Sequence, residues 1–221
     1  MSKVHLVTSC SKSKNGAVLD TVFPSSSASL KEAYDEWTEL LKKRFSDQNS
    51  VTETKKLYRG EHWKTALKIH DKLPGLSLWV VSAGIGLRHL SDPAVPYEAT
   101  FSNTAYDSKS IWEKLINSPP FPGKASSLKE LLSRNSDDIF VIALSPVYLR
   151  AIENDLAAGA YYLPCPDSQL IIVTSKAYSG PLSKYARYGD KSMLKELNAN
   201  MTTLNIKHAD KIASSLPPIL R

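Results

Sequence analysis

Four short apolar runs, each stopping at a serine, constrain this chain more than any other feature. They cover residues 4–9, 76–82, 138–145 and 169–175. Each is rich in Val, Ile and Leu and has the length of a strand rather than a helix. The third is apolar throughout its middle, as a strand buried on both faces requires. Between the runs, apolar residues recur at helical spacing. Leu30, Tyr34, Trp37, Leu41 and Phe45 mark a helix over 28–45. Similar spacing predicts helices over 63–73, 107–116, 126–134 and 146–157. A last one over 191–214 carries Leu194, Leu197, Met201, Leu204 and His208 on one stripe. Strands alternating with helices predict an α/β fold. We expect a single three-layer domain over 1–221, with a mostly parallel central sheet of four to five strands and helices on both faces.

The sequence of 221 residues is long enough for one substantial core. Its 42% hydrophobic and 23% charged residues fit a soluble globular chain. The formal charge of +6 tilts it modestly towards phosphates, nucleotides or nucleic acid. Cys10 and Cys165 are too few for a disulfide framework or, without several added ligands, a zinc site. The five histidines show no paired metal spacing, so no metal and no cofactor is expected. The apolar stretch from Val4 to Val7 is too short for a signal peptide, and no run approaches membrane-spanning length. These features predict a cytoplasmic protein without a membrane partner.

If the four strands are parallel, Ser9, Ser82, Ser145 and Ser175 lie along one sheet edge. Hydroxyls and free backbone N–H groups there can cradle an anion, and ligands of open α/β sheets bind at that edge. Serine is equally a common cap and turn residue, so both roles stand. Lys12 and Lys14, beside Cys10, make the first loop a phosphate-site candidate, although it lacks the glycines of a Walker A loop. Cys10 would be a nucleophile if neighbouring cations lowered its pKa, but no histidine is paired with it in the sequence, which favours a packed thiol. Gly84 and Gly86 form only G-x-G, a sign of special backbone geometry or close approach.

The stretch 89–103 holds two prolines and little periodicity, the mark of an ordered functional loop. Within it Glu98 is a candidate general base or ribose ligand, and Asp92 a second. Tyr97 and Phe101 would either stack on a base or fill the core. Residues 176–221, predicted as a basic helical segment, carry eight basic residues against three acids, interleaved with Tyr178, Tyr185 and Tyr188. Lys184, Arg187 and Lys191 would there track a phosphate backbone while tyrosines stack bases. The alternative is a solvated helix face with core tyrosines.

Several segments, in order, resemble one family of prokaryotic and phage proteins. They are Ser9-Cys10-Ser11-Lys12-Ser13-Lys14, Leu57-Tyr58-Arg59-Gly60, Val81-Ser82-Ala83-Gly84-Ile85-Gly86-Leu87 and Pro96-Tyr97-Glu98-Ala99-Thr100-Phe101. The family's pattern runs roughly S-C-x-x-K-K, Y-x-G/S, S-A-x-x-G-L and P-Y-x-x-T. The resemblance covers most of the first hundred residues and, weakly, the Ser145-Pro146-x-Tyr148 end of the third strand. Ile85 stands where an aromatic residue is usual, and Ser13 interrupts the lysine pair. Members are sometimes found near genes for 7-deazaguanine nucleic-acid modification or phage defence, and they distantly resemble the uracil-DNA-glycosylase-like α/β fold. The resemblance implies a nucleobase- or nucleotide-directed site built from these loops.

Two functions of different class follow as expectations. One is an enzyme acting on a nucleoside, nucleotide or nucleic-acid base at an N-glycosidic bond, by hydrolysis or base exchange. The other is a non-catalytic nucleotide- or nucleic-acid-binding accessory or sensor protein, in which the basic tail dominates.

Overall fold

The computed structural model describes residues 2–102 and 104–216. Two positions used above, Asn103 at the loop end and Arg221 in the basic count, lie outside the described residues. In chain order the elements are β1 (Val4–Ser9), α1 (Leu30–Ser46), β2 (Thr52–Glu53), α2 (Thr54–Leu57), α3 (Glu61–Lys72) and β3 (Ser77–Ser82). There follow β4 (Gly86–His89), β5 (Pro93–Ala94), α4 (Ser108–Asn117), α5 (Leu128–Arg134), β6 (Ile139–Ala143) and α6 (Pro146–Ala160). The chain ends with α7 (Pro166–Gln169), β7 (Leu170–Thr174), a 3-10 turn (Pro181–Tyr185), β8 (Ala186–Tyr188), α8 (Met193–Glu196) and α9 (Leu204–Ser215).

The main sheet has six strands in the order β4-β3-β1-β6-β7-β8, and β2 pairs with β5 separately. Every pairing in the main sheet is parallel except β3 with β4. The helices form two groups. α4, α5 and α6 pack together, whereas α3 packs against β3 and α9, and α9 against β6 and β7. The four apolar runs are the four central strands, so their serine ends do share one edge. β1 and β6 are almost wholly buried, and this is why their sequences show no alternation.

From β1 the chain crosses to β3 on one side, and from β6 to β7 on the other. The point between β1 and β6 is therefore a topological switch, where the carboxyl ends of an open sheet leave a crevice.

The sheet has one strand more than the four to five expected. β4 escaped because Arg88 interrupts its apolar pattern. That side chain is buried at 2% exposure, and its guanidinium donates to the carbonyls of Ile85, Phe121 and Pro122 at 2.8–2.9 Å. Gly86, at φ +76°, lets the chain reverse from β3 into β4. β8 lay inside the basic tail, which is not one helical segment. The helix expected over 191–214 is two, α8 and α9. Asn198 between them takes a left-handed φ of +46°, and Asn200 Oδ1 accepts from the N–H groups of Thr202 and Thr203, turning the chain into α9. Met201, expected on the apolar stripe, is exposed.

No helix among the described residues is long and apolar enough to cross a membrane.

Candidate functional site

The carboxyl edge is laced together by four sequence segments that meet there. The first loop bridges to the second segment: Asn15 N–H donates to Leu57 O at 2.7 Å and Arg59 N–H to Ser13 O at 3.0 Å. The Ser82 hydroxyl pairs with Tyr97 Oη at 2.5 Å, and Tyr97 Oη with Tyr58 Oη at 3.0 Å. Ser82 Oγ also accepts from Gly84 and Ile85 N–H, at 3.3 and 3.0 Å. Burial pushes both phenols far above the usual tyrosine range. They stay neutral and serve as a hydrogen-bonded floor.

Lys14 lies on that floor. Its ammonium sits 4.2 Å from the centre of the Tyr97 ring and donates to the carbonyls of Ser11 and Lys12 at 3.3 and 3.2 Å. Burial lowers its pKa, and the neighbouring Cys10 and Glu98 act in the opposite sense. Lys14 therefore holds its own loop in place, and Glu98 is near enough to favour its charged form. Lys12 is exposed to solvent.

Glu98 is fixed through its backbone. Its N–H donates to Thr21 O at 2.8 Å, and its carbonyl accepts from Phe23 N–H at 2.9 Å. Its half-buried carboxylate has no hydrogen bond or ion pair closer than 4 Å among the described residues. Cys10 follows β1, and Tyr148 stands on the first turn of α6 beyond β6. Cys10 Sγ and Tyr148 Oη lie 3.2 Å apart, so this contact spans the switch point. Burial raises the Tyr148 phenol far above its usual range. Both residues are half-buried, and Ser9 beside them is too. Ser145 caps α6 with an exposed hydroxyl that makes no capping bond.

The candidates from sequence thus divide. Ser9, Cys10, Lys12, Lys14, Glu98, Ser145 and Tyr148 gather at the edge with at least partial exposure. Ser82, Gly84, Gly86, Tyr97 and Phe101 lie behind them in the core. Tyr97 is fully buried against Gly84, where a Cβ would come within 2.5 Å of the ring, so it cannot stack on a base. Phe101 packs edge-on against Tyr148 and Trp112, with ring centres 5.1 and 6.4 Å apart, and is equally withdrawn. The Ser82 hydroxyl is consumed by its own turn and by Tyr97.

Asp92 is displaced altogether. It belongs to the turn after β4, which runs antiparallel to β3 and carries the chain to the amino edge. Its Oδ2 accepts from His89 N–H at 2.8 Å, and both its oxygens lie 3.2 Å from Lys124 N. A carboxylate so employed, at 3% exposure, ties loops together and is no part of the edge.

The tail divides as well. Tyr178 is buried and donates to Glu153 at 2.6 Å, and Tyr185 is buried beneath Lys184. These two rings are core and not stacking platforms. Lys184, Arg187 and Lys191 remain exposed.

One pair was missed. His62, at the start of α3, receives the Thr8 hydroxyl on Nε2 at 2.5 Å and faces Thr202 O with Nδ1 at 3.3 Å. The carbonyl demands a donor, so Nδ1 carries the proton. Burial lowers the His62 pKa. Thr8 is fully buried, which rules it out as a nucleophile and makes the pair a clasp between β1, α3 and the loop before α9. The helix expected over 63–73 begins at Glu61 and so takes in His62, and nothing local shows which strand His62 meets.

Among the described residues no group of three or more His, Cys, Asp and Glu could hold a metal ion. The fold and edge together define a class: a doubly wound α/β protein with polar side chains gathered at the carboxyl edge of its sheet, where open sheets bind ligands. No protein-family model matches the chain, and no curated protein matches it in sequence.

Proposed function

We propose that the carboxyl-edge crevice is the active site of an enzyme acting on a nucleoside, nucleotide or nucleic-acid base, at the N-glycosidic bond. One observation supports this reading: Glu98, a half-buried carboxylate with no ion pair among the described residues, is close enough to the half-buried Lys14 to raise its pKa, and Lys14 shares its loop with Cys10, which meets Tyr148 across the switch point. Glu98 orients water or offsets the positive charge that develops on the sugar as the base departs. Charge placed in advance where a transition state needs it is usually a large catalytic term. Lys12 and the exposed Ser145 end of α6 offer the phosphate contacts. With Tyr97 and Phe101 in the core, Tyr148 is the half-buried ring left to lie against a base.

The test is Glu98→Gln, assayed by mass spectrometry for released base against nucleotides, tRNA and single- and double-stranded DNA. Turnover should fall by about a hundredfold or more, with substrate binding kept. Unchanged turnover in the variant, or no released base from any substrate with the parent protein, overturns the proposal. The accessory-protein alternative keeps its exposed cations, but two of its three tyrosines are core.

A further inference from the structure

A polar cavity lies at the opposite, amino end of the sheet. It encloses about 540 Å³ between the start of β1, the turn after α3 and the end of α5. Its wall is aromatic. Trp79 and His89 meet edge-to-face at 4.9 Å, and His5 stacks on Phe140 at 4.8 Å. The buried polar atoms of this wall are already ordered. Trp79 Nε1–H donates to His5 Nδ1 at 3.2 Å, which leaves His5 Nε2–H to donate to Asp138 Oδ2 at 2.9 Å. Asp138 Oδ1 accepts from Lys3 N–H at 2.7 Å. His89 Nδ1 accepts from Ser91 N–H at 3.2 Å, so its other nitrogen is the protonated one.

The charges around the cavity can be sorted. Asp138 is taken by His5 and the Lys3 backbone, Asp71 pairs with His70, and Asp92 holds backbone N–H groups beneath. His70 and Arg134 stand in the last turns of α3 and α5, where they offset the helix carbonyl ends, and Arg134 also pairs with Glu130. Two ammonium groups remain. Lys3 and Lys124 both line the cavity, are exposed, and have no ion-pair partner among the described residues.

We propose that this cavity binds a small organic anion, a flat ring bearing a phosphate or a carboxylate. Lys3 and Lys124 meet the charge, and the half-buried His89 ring, backed by buried Trp79, meets the ligand's ring. His89, neutral and with a nitrogen donor to spare, adds a hydrogen bond without adding charge. The site is separate from the carboxyl-edge crevice and does not depend on how that crevice is read.

Calorimetric titration of the full chain with phenyl phosphate, benzoate and inorganic phosphate tests the proposal. At least one ring-bearing anion should saturate at one per chain, with inorganic phosphate roughly tenfold weaker or worse. Which of the two binds tells phosphate from carboxylate. The doubly reversed variant Lys3→Glu/Lys124→Glu changes only exposed side chains, and it should weaken binding by about tenfold or more. Lys195→Gln, an exposed lysine on α8 outside both sites, should leave binding unchanged. Absence of saturable binding by both ring-bearing anions overturns the proposal. So does inorganic phosphate binding equally well, or affinity that ignores the charge reversal.

Discussion

The two ends of the sheet are built from the same kinds of residue and use them in opposite ways. At the amino end, the carboxylates and the buried polar groups are spent on one another, and the free charges are the two exposed ammonium groups of Lys3 and Lys124. Asp92 is bound to two backbone N–H groups, and His5 is held between Trp79 and Asp138. At the carboxyl end the buried layer is just as satisfied, with Ser82, Tyr97 and Tyr58 in one chain. Above it, however, the side chains of Glu98, Lys12 and Ser145 have no hydrogen-bond or ion-pair partner among the described residues. The difference teaches that an unspent polar group marks a site better than a polar residue does. Glu98 and Asp92 sit six positions apart in one stretch of chain, and only their surroundings separate them.

The largest stability effect expected is at Asp92. Asp92→Ala leaves two part-buried N–H groups without their acceptor and removes the negative charge that most supports buried Arg88, a loss of about 2–4 kcal/mol. Glu98→Gln should stay within about 0.5 kcal/mol of the parent. Urea unfolding of both variants checks the contrast. Equal losses would show that Glu98 holds the fold as Asp92 does, and the comparison between the two ends would break.

A pH titration sharpens the same comparison. Burial holds His5 and His89 below the ordinary histidine range, His89 down to about 4 with Lys124 adding to the effect. Between that value and the unfolded pKa near 6.5, the unfolded chain binds more protons than the folded one. Stability from these groups is complete above about pH 6.5 and drains away as the pH falls towards 4. Thermal unfolding followed from pH 7.5 to 4.5 should show this decline, and His89→Asn should flatten part of it. A variant with the parent's slope would mean that His62 and His208, also lowered by burial, carry the acid sensitivity instead.

How much of this was legible beforehand follows from range. A strand buried on both faces writes itself locally, as Ile139-Phe140-Val141-Ile142 does, and the serine after each run announced the shared edge. β4 was hidden because Arg88 looks like a surface residue until the loop carbonyls that receive it are known. Tyr97 offered no local cue to choose between core and base-stacking, since its neighbour Gly84 touches it through space. The Gly84 close approach and the φ of Gly86 were readable, because glycine has few other uses. His62 was unreadable as a partner of Thr8, because that contact joins residues 54 positions apart.

The smallest effect expected is at Tyr148. Tyr148→Phe removes the hydroxyl that meets Cys10 Sγ across the switch point. Thiol hydrogen bonds are weak, and an ordinary one contributes about 0.5–1.5 kcal/mol, so the loss should fall at or below the lower end. The thiol itself should become more open to alkylation, with exposed Cys165 as the internal reference. A small loss of stability with faster alkylation is what an edge kept free for a ligand would show. A loss of several kcal/mol would mean that the contact clamps β1 to α6, and that the carboxyl end, like the buried layer of the amino end, has spent its polar groups on the fold.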